Sequence, residues 1–148
     1  MLGLRYASSQ PTVLLGILMS KNYISPLESF HNTFFYFIKG VNALTWSSEE
    51  QMHWTGGFHA AWEIQYDVCL DGEVVLKCAG SFLTESERAN IASLLCKVKS
   101  LSPDALLDSE DALNHPQWKE LRRDARNLLD HLARPIAENI TFLFHEMT

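Results

Sequence analysis

Residues Phe58 to Leu83, FHAAWEIQYDVCLDGEVVLKCAGSFL, decide how the chain is read. In the first half Phe58, Ala60, Trp62, Ile64, Tyr66, Val68 and Leu70 alternate with His59, Ala61, Glu63, Gln65, Asp67 and Cys69. A period of two is the pattern of a half-buried strand, whose successive side chains point to opposite faces. Asp71-Gly72 then supplies a turn signal, and Val74, Leu76, Cys78, Gly80 and Phe82 continue the apolar series on even positions. A β-hairpin is therefore expected over about 58–83. Cross-strand partners share a face, so a three-residue loop, Leu70-Asp71-Gly72 with Gly72 left-handed in a bulge, keeps the two apolar faces together.

Outward from this stretch the signals are helical. Ser25-Pro26-Leu27-Glu28 is a capping box with proline at the first helical position, and Gly40 suits a C-terminal cap, which predicts a helix over about 26–39. Leu27, Phe30, His31, Phe34, Phe35 and Ile38 recur along it at helical spacing and form an aromatic stripe for the core or, alternatively, for a ligand cavity. Residues 41–57 look irregular: Ser47-Ser48-Glu49-Glu50 can start a short turn, and Gly56-Gly57 interrupts whatever precedes the hairpin. A second capping box, Thr84-Glu85-Ser86-Glu87, opens a helix over about 85–99 with Ile91, Leu94, Leu95 and Val98 on one face. Ser102-Pro103 leads into an acidic segment that reads as a short helix or an ordered loop. From Pro116 onward Trp118, Leu121, Arg122, Ala125, Leu128, Leu129 and Leu132 mark another helix, which Pro135 is expected to stop. Ile140-Thr141-Phe142-Leu143-Phe144 reads as a final strand, with a helical continuation as the alternative. The expected fold class is α+β: an antiparallel sheet built on the central hairpin, with three or more helices packed on it.

One globular domain is expected over 19–148, since 148 residues suit a single core. The apolar run Val13 to Leu18 is too short to span a bilayer. Residues 1–18 are read either as an N-terminal strand or as an extension ahead of a translation start at Met19. A content of 47% hydrophobic and 20% charged residues is that of a folded protein. The net charge of -6 weighs against nucleic acid, which is bound chiefly through Lys and Arg on phosphates, and fits a basic partner. No membrane partner is expected, and the oligomeric state is left open.

Signs of chemistry are sparse. Cys69, Cys78 and Cys96 show no C-x-x-C spacing, so they are read as reduced thiols in a cytoplasmic protein. The six histidines (His31, His53, His59, His115, His131, His145) include no H-E-x-x-H pair, and neither metal nor cofactor is expected. Without a G-x-S-x-G elbow or a phosphate loop, no constellation supports a named reaction. Surface recognition remains, and two segments carry residues suited to it. Asp104, Asp108, Glu110 and Asp111 could meet cationic groups of a basic partner, and Trp46 and Trp54 place aromatic anchors beside Glu49 and Glu50.

In size, acidity, expected α+β order and acidic stretches such as Asp108-Ser109-Glu110-Asp111, the chain from Met19 onward resembles the small bacterial immunity proteins that neutralise toxins of contact-dependent growth inhibition and related systems. The resemblance contains no positional motif, so it transfers no functional residues. It implies a stoichiometric inhibitor that covers the functional surface of a cognate, basic toxin. Two other classes stay open. One is a small-molecule-binding domain or enzyme whose pocket is enclosed by Phe30, Phe34, Phe37 and the hairpin face; the other is a structural subunit that uses the hairpin edge.

Overall fold

The computed structural model describes residues 24–78 and 82–147, and among them every regular element is a helix. The order is α1 (Pro26–Thr45), α2 (Ser48–Trp54), α3 (Ala60–Lys77), α4 (Glu85–Lys99), a 3-10 turn (Pro103–Leu106), α5 (Glu110–Leu113), α6 (Pro116–His131) and α7 (Ala133–Met147). The α+β expectation is corrected to an all-α fold. The readings made for residues 1–18 and Met19 lie outside the described residues.

The expected hairpin over 58–83 is instead largely α3. Its even-numbered apolar residues divide between two faces of one helix. Ile64 and Val68, with Ala60, Ala61, Gly72 and Val75, are buried at steps of about three and four. Trp62, Tyr66, Leu70 and Val74, each four apart, form an outward ridge. Asp71-Gly72 makes no turn. Gly72 lies inside the helix, where an added Cβ would stand 2.6 and 2.7 Å from the two Cδ atoms of Leu95 and 3.0 Å from Phe37 Cε1. Gly40 likewise does not cap α1, which continues to Thr45; a Cβ there would meet Val68 Cγ2 at 3.0 Å. Both glycines let helices approach closely.

The N-terminal caps form as the sequence predicts. In α1, Glu28 N–H donates to Ser25 Oγ and Ser25 N–H to Glu28 Oε1, both at 3.1 Å. Thr84 and Glu87 make the same reciprocal pair at the start of α4, whose bounds match the expectation. The core joins Phe30, Phe34 and Phe37 of α1 to Val68 of α3, Ile91 and Leu95 of α4, and Trp118, Leu121 and Ala125 of α6. These phenylalanines are fully buried in packed core, so they do not wall the cavity that the sequence left open. The final strand expected at Ile140–Phe144 is also corrected, because those residues belong to α7. Pro135 stands in the first turn of that helix, where its missing N–H has no intrahelical partner to lose.

His31 ties α1 to α7. Its side chain is buried between the rings of Phe142, at 4.2 Å between centroids, and Phe82, at 5.6 Å. Asn139 Nδ2 lies 2.9 Å from both His31 Nδ1 and the His31 carbonyl. The carbonyl can only accept, so the amide nitrogen is the donor and the imidazole proton resides on Nε2. Burial lowers the pKa of His31 below its ordinary 6.5, with Glu138 opposing in part.

Two outcomes follow from this packing. Below pH 6.5 the unfolded chain binds more protons at His31 than the folded one, so stability present above that pH falls as the solution is acidified. Urea titrations between neutral pH and pH 5 should show the fall, and His31→Gln should flatten it. Gly72→Val forces two methyl groups and a Cβ against Leu95 and Phe37 and should cost about 2–3 kcal/mol by the same titration. An unchanged midpoint would refute the close approach.

Candidate functional site: an acidic and aromatic end

The short helix α2 follows directly on α1. Trp46 is the C-cap of α1 and Ser47 the N-cap of α2, where Glu50 N–H donates to Ser47 Oγ at 3.1 Å and Ser47 N–H donates to Glu50 Oε1 at 2.9 Å. The bonds with Ser47, the backbone one first, hold the Glu50 carboxyl below its usual range and so keep it ionised. About two turns of helix bring Trp54 back toward Trp46, and their rings meet edge to face at 5.6 Å. With Glu49, Glu50 and His53 they line an open hollow of about 490 Å³.

Beneath the hollow lies a hydrogen-bonded support. Gln51 is fully buried and donates through Nε2 to the Ala43 carbonyl at 2.9 Å. Arg122 of α6 donates through Nε to the Trp46 carbonyl at 2.7 Å, and through Nη2 to Gln51 Oε1 at 2.9 Å and the Leu113 carbonyl at 2.7 Å. One planar guanidinium therefore fixes the end of α1, the inner face of α2 and the end of α5. Burial, and secondarily Arg126, lowers the pKa of Arg122 below its ordinary value, a direction that opposes its charge.

The acidic segment joins the same end. Its 3-10 turn is pinned by Trp118, whose Nε1 donates to the Ala105 carbonyl at 2.7 Å. Asp108 has a structural partner: Oδ1 accepts the His59 N–H at 2.8 Å, and Oδ2 lies 3.7 Å from His59 Nδ1. His59 precedes α3 in a left-handed conformation with φ of 48°, following Gly56 and Gly57 at positive φ. Its own side chain does not cap α3. Ser109 caps α5, with Ala112 N–H donating to Ser109 Oγ at 3.4 Å. Helix α5 packs against both α2 and α3, so the two segments read separately from the sequence meet at one end of the helical assembly.

Glu49, Asp104, Glu110 and Asp111 are exposed, and among the described residues their carboxylates make no hydrogen bond or ion pair. Of the eight residues singled out in the sequence, Trp46, Glu49, Glu50 and Trp54 share one hollow. Asp108, Glu110 and Asp111 lie beside the elements that support it, and Asp104 stands exposed on the 3-10 turn. His53, weighed in the sequence only among possible metal ligands, joins the hollow, and Gln51 and Arg122 were not singled out. Arg122 left a trace, a charged residue among the apolar positions of its helix.

Among the described residues no group of three or more His, Cys, Asp or Glu could hold a metal ion, and no helix is long and apolar enough to cross a membrane. No protein-family model, curated protein or solved structure matches the chain.

Replacing Arg122 with Met leaves two carbonyls and the Gln51 amide oxygen without their donor. A loss of about 2–3 kcal/mol is expected in urea denaturation, and Arg122→Lys should recover only part of it, because an ammonium cannot span the same three acceptors.

Proposed function

We propose that the chain is a stoichiometric protein-binding inhibitor of the immunity type, acting in the cytoplasm on a cognate, basic bacterial toxin through its acidic and aromatic end. The reading is carried by one observation: two tryptophans and a set of carboxylates without cationic partners occupy one end, fixed from beneath by Arg122. Aromatic anchors supply contact area at little entropic cost, while open carboxylates steer a cationic surface and compete with phosphates for it. With the sheet gone, α+β order no longer supports the resemblance to immunity proteins; size, acidity and the acidic stretch still do. Three cysteines outside any disulfide fit a reducing compartment.

A second reading rests on a different place. An open groove of about 450 Å³, lined by Leu27, Phe82, Ala137 and Phe142 among others, offers an apolar floor with two imidazoles, His31 and His145, which suits a small aromatic ligand. Native mass spectrometry of protein from its host would reveal such a ligand.

The test begins with a pull-down from the native host at low and moderate salt. A basic polypeptide retained one to one and lost as salt rises supports the inhibitor; absence of any such polypeptide sinks it. With the partner in hand, replacing Asp104, Asp108, Glu110 and Asp111 by Asn, Asn, Gln and Asn should slow association and flatten its salt dependence. Trp54→Ala should speed dissociation by about tenfold or more.

A further inference from the structure

We infer that the outer face of α3 is a second docking surface, fitted to an amphipathic helix that carries lysine or arginine along one flank. Trp62, Tyr66, Leu70 and Val74 are 42–52% exposed and follow one another at four-residue steps. They form a continuous apolar ridge about 18 Å long at 1.5 Å per residue. Trp62 and Tyr66 are stacked at 5.3 Å between centroids, and Phe58, two residues ahead of α3, is 72% exposed. Ridges of this spacing pack into the matching grooves of another helix at a crossing near -50°.

The charge beside the ridge selects the occupant. Glu63, Asp67 and Asp71 repeat at four-residue steps along one flank, and none has a cationic partner among the described residues. Like charges at this spacing repel and weaken an isolated helix. Burial and the nearby Asp67 raise the pKa of Asp71, the mark of a carboxylate lacking a counter-charge. On the opposite flank Glu73 is already paired with Lys99. A second copy of the chain fits poorly. Antiparallel two-fold packing sets the acidic row against itself, and parallel packing sets it against Gln65, Cys69 and the engaged Glu73. Anionic lipid is repelled by the same row. A helix with an apolar stripe and a basic flank satisfies both parts of the surface.

The probe is a synthetic helix of roughly 18 residues built from leucine on one stripe and lysine on its flank, titrated into the full chain by calorimetry. Micromolar binding is expected. It should weaken at least about tenfold for a glutamate-for-lysine peptide and for the Leu70→Gln/Val74→Gln protein. The salt dependence should flatten in Glu63→Gln/Asp67→Asn/Asp71→Asn. Asp104→Asn/Glu110→Gln/Asp111→Asn, which spares the Asp108 carboxylate that holds the His59 N–H, should leave peptide binding unchanged, which separates this surface from the end site. The substituted ridge residues are exposed, and circular dichroism of each variant verifies that it is folded. Equal peptide binding by the ridge variant overturns the inference. So does a dimer in sedimentation that Leu70→Gln/Val74→Gln abolishes, or tighter binding to anionic vesicles than to the lysine peptide.

Discussion

At Gly72 three helices share the space that a single β-carbon would fill. Leu95 of α4 and Phe37 of α1 close over the α3 backbone from two sides. A glycine inside a helix costs about 1 kcal/mol relative to alanine, through the freedom it surrenders on folding. Dispersion and burial gained by the leucine and the phenyl ring offset that cost, and the gain exists only while all three helices hold their places. Gly40 repeats the device between α1 and α3 at Val68. The line of α1 is set by these two contacts. Helix α1 in turn packs on α6, and α6 carries Arg122 to the exposed end.

The same glycine explains where sequence reading succeeded and failed. Capping boxes at Ser25 and Thr84 were legible because each encodes a local, reciprocal pair of hydrogen bonds needing nothing from the rest of the chain. The stretch from Phe58 was misread because four is a multiple of two. A helix bearing one ridge at Trp62, Tyr66, Leu70 and Val74 and another at Ile64 and Val68 reproduces the alternation of a strand. Odd positions held evidence against it: Ala61 is buried and Val75 fully so, and neither belongs to the even series. Asp-Gly strengthened the error, since a packing glycine and a turn glycine look alike until the facing helices are known. Only tertiary context separates them.

For the candidate site, residue types were legible and arrangement was not. Trp46, Glu49, Glu50 and Trp54 lie within nine residues, and once helical they fall into one hollow. Their meeting with the acidic segment depends on Arg122, whose acceptors come from three different elements. All three acceptors are uncharged, so the guanidinium retains its positive field beneath a surface crowded with carboxylates. No local pattern announces such a bridge between three elements.

Asp108 has a different standing from its acidic neighbours. Its carboxylate satisfies the N–H of a left-handed residue that opens α3 without a cap of its own. Any cation that draws Asp108 outward competes with that N–H. Placement of the acidic segment is thereby linked to order in the first turn of α3, where Trp62 begins the outer ridge. A single carboxylate thus joins the acidic segment to the start of α3 across 49 residues of sequence.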